Sequence, residues 1–208
     1  MKKPLIVVNT KTYQKGTGKE LAELYTAAKE VGAWIAVQNT DIRSAKRAGV
    51  TVYAQHVDAI TYGSHTGHVL PEAVKEAGAR GTLINHAEKK VSQKVLKEIV
   101  KRCKEVGLQT IVCADSIQEA KKIARYKPDY IALEPPELIG GEVSITEADP
   151  DIITQAVQEI PIPLLVGAGV KNKKDVQTAL RLGAVGVLLA SGVISKPKNS
   201  AQALKKLV

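Results

Sequence analysis

Short runs of aliphatic and β-branched residues alternate along the whole chain with longer stretches whose apolar positions recur every three or four residues. The first pattern predicts buried strands and the second amphipathic helices. Strands are expected at Leu5–Asn9, Trp34–Gln38, Thr51–Gln55, Thr82–Asn85, Thr110–Cys113, Tyr130–Leu133, Leu164–Val166 and Gly186–Leu189. Helices are expected at Lys19–Val31, Pro71–Ala77, Ser92–Val106, Ser116–Ala124, Asp149–Glu159 and Lys173–Leu182, with a weaker helical pattern over Asp41–Ala48. Gly32, Gly78, Gly107 and Gly183 stand where C-terminal caps belong.

Strands that alternate with helices build βα units and a parallel sheet, and eight strands close into a barrel. The expected fold is α/β, a single (β/α)8 barrel of eight parallel strands over residues 1–208. A chain of 208 residues is at the low end for that architecture, so trimmed helices or loops are implied. No linker, low-complexity segment or second domain interrupts the pattern. Reactive side chains then belong where strands end and βα loops begin, because only there do several strands converge.

Composition narrows the picture. Apolar residues make up 44% of the chain, with no Phe and one Trp, so the core must be packed from Val, Ile, Leu and Ala. Cys103 and Cys113 fall on different elements without metal-ligand spacing, which argues against a disulfide framework or a zinc site and fits a reducing cytoplasm. The apolar run after Pro4 is too short for a signal or membrane segment, so no membrane association is expected. A net charge of +9 raises the possibility of a nucleic-acid partner. Yet Lys89, Lys90, Lys94, Lys97, Lys101, Arg102 and Lys104 share a helical segment with Glu98 and Glu105, without interleaved aromatics, and read as a solvated face.

At the first strand's end, Asn9 and Lys11 are two residues apart, so an extended backbone would project both toward the barrel mouth, unless the strand has simply reached solvent there. After strand four, His86 offers an imidazole that can hydrogen-bond a developing oxyanion, with Glu88 two residues later. Strand six ends in Glu134, followed by Pro135-Pro136-Glu137-Leu138-Ile139-Gly140-Gly141. A carboxylate ending an apolar strand is partly desolvated, which raises its pKa and strengthens it as a base, whereas the bland alternative is a buried ion pair. Two prolines at one end and two glycines at the other suit a hinged lid whose apolar tip excludes water. Strands seven and eight end in Gly167-Ala168-Gly169 and Ala190-Ser191-Gly192, small residues that let backbone N–H groups approach an anion, the usual phosphate corner of a barrel. His65 and His68 lie three apart on a long loop, but no Asp, Glu or Cys nearby completes a coordination shell, so a contact loop is expected and no metal.

With Asn9-Thr10-Lys11, Asn85-His86-Ala87-Glu88, Glu134 to Gly140, Gln55-His56, Gly63 to Gly78 and Val185 to Val193 in order, the chain resembles the triosephosphate isomerases of short archaeal type, essentially end to end. The resemblance implies interconversion of dihydroxyacetone phosphate and glyceraldehyde 3-phosphate through an enediolate, in glycolysis and gluconeogenesis, without cofactor or metal. It casts Glu134 as the base, His86 as the neutral electrophile and Lys11, beside Asn9, as the charge that binds and polarises substrate. Ile139, Gly140, Gly169, Ala190 and Ser191 match positions whose backbone surrounds the phosphate, and Glu88 matches an acidic residue that arranges Lys11. It further implies a homodimer, or dimers paired into a homotetramer, with Thr66 bracing the neighbouring subunit's site. Thr10 departs from a usual Phe and Ala87 from a common Ser, which would loosen the support around Lys11 and His86. Two other readings stay open: a different phosphate-binding barrel with another base, and a nucleic-acid module that leaves the pocket idle.

Overall fold

The computed structural model describes residues 3–139, 141, 144–195 and 199–208. Eight parallel strands pair in chain order and close on themselves: β1 (Leu5–Asn9), β2 (Trp34–Val37), β3 (Thr51–Ala54), β4 (Gly81–Ile84), β5 (Gln109–Ala114), β6 (Tyr130–Leu133), β7 (Leu164–Val166) and β8 (Gly186–Leu189). Alternating side chains along each strand divide the apolar residues between two cores. Val7, Ala36, Tyr53, Leu83, Ile111, Cys113, Ala132, Leu165 and Leu188 point inward and fill the barrel. Their neighbours, such as Ile6, Val8, Ile35, Val37 and Val166, pack outward under the helices.

Around the barrel run α1 (Ala22–Val31), α2 (Ile42–Arg47), α3 (Pro71–Glu76), α4 (Gln93–Val106), α5 (Ile117–Ala124), α6 (Ile145–Ala148), α7 (Pro150–Glu159), α8 (Lys173–Arg181) and α9 (Ser200–Lys205). The trimming falls on α2 and α3, six residues each. On α4 the buried stripe is Leu96, Ile99, Val100 and Cys103, which leaves Lys94, Lys97 and Lys101 on the outer face.

Several boundaries differ from those the pattern predicts. Gln38, Gln55 and Asn85 lie beyond their strands, because each polar side chain marks the turn out of the sheet. The helix expected at Lys19–Val31 is divided into a 3-10 turn at Gly18–Leu21 and then α1. Gly18 has a φ of 55°, and its N–H is held by both carboxylate oxygens of the buried Asp41 at 3.2 Å. Helices α6 and α9 are too short to show a period in sequence and were not expected. No described helix is long and apolar enough to cross a membrane.

The N-terminal end of the barrel is plugged by aromatic rings. Trp34 stacks on Tyr53 with ring centroids 5.0 Å apart, meets Tyr130 edge-on at 5.7 Å, and carries the Arg80 guanidinium 5.1 Å above its ring. Close strand contact elsewhere demands glycine. A Cβ on Gly186 would sit 1.9 Å from the Leu5 carbonyl oxygen, where β8 meets β1. Gly186→Ala is therefore expected to cost about 1–3 kcal/mol by forcing the closing seam apart. A urea titration checks this through a lower midpoint at unchanged slope, and an unshifted midpoint would show that the seam has slack.

Candidate active site

The ends of β1, β4, β6, β7 and β8 bring Asn9, Lys11, His86, Glu134, Ile139, Gly169, Ala190 and Ser191 around one cleft. Glu134 continues the β6 ladder, its N–H donating to the Ala114 carbonyl at 2.9 Å. Its side chain turns inward and is 8% exposed. Room for it comes from Gly167, where a Cβ would lie 2.3 Å from the Glu134 Cγ and 2.6 Å from Oε1. The Cys113 thiol lies beside the carboxylate, and burial pushes that thiol's own pKa well up. Glu134 Oε2 is buried without any protein hydrogen-bond partner. Burial accordingly pushes its carboxyl above the ordinary 4.5, against the opposing pull of His86, the Cys113 thiol and Lys11, while Asp115 adds to the rise.

His86 stands just past β4, where Asn85 at φ 62° turns the chain inward. It caps the 3-10 turn Ala87–Lys89, and its Nδ1 accepts the Glu88 N–H at 3.1 Å. An accepting Nδ1 has no proton of its own, so the neutral ring carries its hydrogen on Nε2. The Glu88 carboxylate is 3.7 Å from Nδ1, too far to compete for that position. Nε2 faces the cleft, 3.9 Å from Glu134 Oε2.

Lys11 reaches the cleft by a different route from the one its spacing predicts. It lies beyond β1 at φ 49°, with its N–H donating to Asn9 Oδ1 at 3.0 Å, so a local turn and not an extended backbone brings the pair together. Its ammonium donates to Glu88 Oε1 at 2.6 Å. Thr10 is fully buried, and Gln55 Nε2 donates to its Oγ1 at 3.3 Å and to the Lys11 carbonyl at 3.0 Å. Gln55 thus holds the segment at the point where looser support was expected from Thr10.

On the opposite wall, Ala168 and Gly169 are both left-handed, at φ 70° and 73°. A Cβ on Gly192 would meet the Val170 carbonyl oxygen at 2.8 Å, so the loops after β7 and β8 approach backbone to backbone. Two small-residue loops pressed together in this way expose main chain to a ligand. After Glu134, a 3-10 turn at Pro136–Leu138 leads into Ile139, and Gly141 N–H donates to the Leu138 carbonyl at 3.1 Å. Gly140 lies outside the described residues.

Thr66 is exposed on a loop whose base is clasped twice: Asp58 N–H donates to the Val69 carbonyl at 2.9 Å, and Val69 N–H to Asp58 Oδ2 at 2.6 Å. His65 and His68 meet edge-on at 5.9 Å between ring centroids, and no cluster of three potential metal ligands occurs among the described residues. Sequence reasoning passed over Tyr13, which lines the cleft, and Cys113, which touches Glu134. The only signal for the first was its place two residues past Lys11. For the second it was register, since Cys113 pairs with Ala132, two residues before Glu134.

A family model described as triosephosphate isomerase matches residues 4–206. The chain is 44% identical over 216 aligned positions to the triosephosphate isomerase of Methanocaldococcus jannaschii, covering 98% of each chain. It is 42% identical over 220 positions to that of Methanoculleus marisnigri, covering 100% of this chain and 99% of the other. The crystal structure of triosephosphate isomerase from Bartonella henselae superposes with a TM-score of 0.71 at 23% identity, over 90% of this chain and 92% of that one, a likeness that bears on the fold.

The unpartnered carboxylate oxygen has a thermodynamic signature. A carboxyl whose pKa is raised on folding favours the folded state below its unfolded pKa, and that contribution is lost as pH rises through the raised value. Glu134→Gln removes the charge, so the variant should melt above the parent protein at pH 8, with the difference vanishing below about pH 4.5. Thermal melts across pH check this. Equal melting at pH 8 would mean that Oε2 is solvated.

Proposed function

The chain belongs to the triosephosphate isomerase family, and from that premise we propose that Glu134, His86 and Lys11 carry out its chemistry in the cleft just described. The reaction is the interconversion of dihydroxyacetone phosphate and D-glyceraldehyde 3-phosphate. The observation that carries the assignment of roles is the buried Glu134 Oε2, left without a partner and facing the Nε2 of His86 at 3.9 Å.

Glu134 takes a proton from C1 of dihydroxyacetone phosphate, and the electron pair of that C–H bond moves into a C1–C2 double bond as charge develops on O2. His86 donates its Nε2 hydrogen to O2, and Lys11 lies on the same side, where its ammonium balances the enediolate. The imidazole so deprotonated at Nε2 takes the proton from O1, which restores the ring, and protonated Glu134 returns its proton to C2, leaving an aldehyde at C1. No atom is gained or lost, which is why the chain's own acid, base and cation suffice. A base of raised pKa suits abstraction from carbon, because the proton-transfer driving force grows with basicity.

Gly169, Ala190 and Ser191 form the phosphate corner, with Ile139 beside it in the segment that follows Pro135 and Pro136. Asn9 and Glu88 set Lys11. We assign the activity to glycolysis and gluconeogenesis in the cytoplasm, by a homodimer or homotetramer in which the exposed loop around Thr66 reaches into a second subunit. That loop's double clasp supports the role, since it presents its tip as a stiff projection.

Coupled-enzyme assay of triose phosphate isomerisation tests the roles. Glu134→Gln should lower kcat by about 10²–10⁴-fold, and the acid limb of the parent's kcat/KM should lie above the ordinary carboxylate range. Retention of most of the rate by Glu134→Gln would remove Glu134 from the reaction. Thr66→Arg should shift sedimentation toward the monomer, and an unchanged sedimentation coefficient would place the interface elsewhere.

A further inference from the structure

Behind the cleft, away from the substrate side, four polar residues join the ends of β4 and β5. Asn85 is 1% exposed, yet its side chain is fully occupied. Its Nδ2 donates to the Cys113 carbonyl at 2.9 Å and to Glu119 Oε1 at 3.0 Å, while its Oδ1 accepts the Val91 N–H at 3.2 Å. Two acceptors and one donor leave a single orientation for the amide. Glu119, on α5, also accepts the Asp115 N–H at 2.7 Å and the Lys90 ammonium at 2.9 Å. Lys90 in turn pairs with Asp115 at 2.7 Å. Burial raises the Glu119 carboxyl pKa, but the Asp115 N–H, Lys90 and Asn85 outweigh it and hold the value below the ordinary range.

The cluster touches both halves of the site without entering it. Asn85 immediately precedes His86 and supplies the left-handed turn that aims it. The Cys113 carbonyl it binds belongs to the residue whose thiol contacts Glu134. We propose that Asn85 and Glu119 are positioning residues: together they clamp the end of β4 to the end of β5 and so set the separation between His86 and Glu134. This rests on the roles given to His86 and Glu134 above. A clamp of this kind acts on the chemical step, because a misplacement of about 1 Å costs on the order of 10²-fold in rate. Phosphate binding at the ends of β7 and β8, across the barrel, is left untouched.

The test uses the full-length enzyme. Asn85→Gly keeps the left-handed turn without strain and removes the three side-chain hydrogen bonds, so it should fold. It is expected to lower kcat by about 10–100-fold while KM and the inhibition constant of inorganic phosphate stay within about twofold. Glu119→Ala should do the same, and the double variant should be no slower than the slower single variant, as expected when two residues act as one unit. If Glu119→Ala does not fold, Asn85→Gly decides alone. A kcat within about twofold of the parent, losses that multiply in the double variant, or a parallel weakening of phosphate inhibition would each overturn the clamp. Glu134→Gln serves as the control. If it retains activity, the roles of the site fail, whereas if it is inactive and Asn85→Gly is fast, only the clamp fails.

Discussion

An ionisable oxygen kept from water with no donor to satisfy it is the constraint on which this protein is organised. Burying such a group is costly, and a flexible structure would relax until water or a cation reached it. The barrel prevents relaxation in definite ways. Leu133 and Ala132, both fully buried, precede Glu134, the missing side chain at Gly167 leaves room for the carboxylate, and the adjacent strand places a thiol beside it. A thiol is a poor hydrogen-bond donor, so it packs against the carboxylate while leaving it basic. Lys11, the cation that could neutralise it, is instead engaged by Glu88.

Backbone strain follows the same geography. Among the described residues only Lys11, Asn85, Lys127 and Ala168 are non-glycine residues at positive φ, and three of these sit just past the ends of β1, β4 and β7 at the cleft. Each such residue holds an unfavourable conformation that its surroundings must impose. Asn9 Oδ1 captures the Lys11 N–H, three hydrogen-bonding groups surround the Asn85 side chain, and the Ala168 carbonyl accepts the Ile145 N–H at 3.3 Å. The polar side chains Asn9 and Asn85 at the barrel mouth therefore hold the backbone conformation beside the cleft.

Much of this was legible in the chain. The strand count, parallel order and placement of Glu134 and His86 follow from hydrophobic periodicity, because each strand is buried on both faces and each reactive residue interrupts an apolar run. Residues close in sequence were also readable as groups, such as the small residues at 167–169 and 190–192. What escaped was whatever depends on one strand meeting another. Cys113 reads as an inert buried thiol until register sets it two positions from Glu134, and Glu119 reads as an ordinary helix-surface carboxylate until α5 carries it to Asn85. The route taken by Lys11 was missed for a different reason, since nothing in an Asn-x-Lys spacing distinguishes an extended strand from a left-handed turn.

The aromatic plug at the other end of the barrel gives the molecule an internal reporter. Trp34 is the only tryptophan, and the rings of Tyr53 and Tyr130 together with the Arg80 guanidinium surround its indole. It sits at the start of β2, whereas the cleft lies past the far ends of the strands. Its fluorescence consequently registers whether the floor of the barrel is assembled, so folding can be followed from the end of the barrel opposite the cleft.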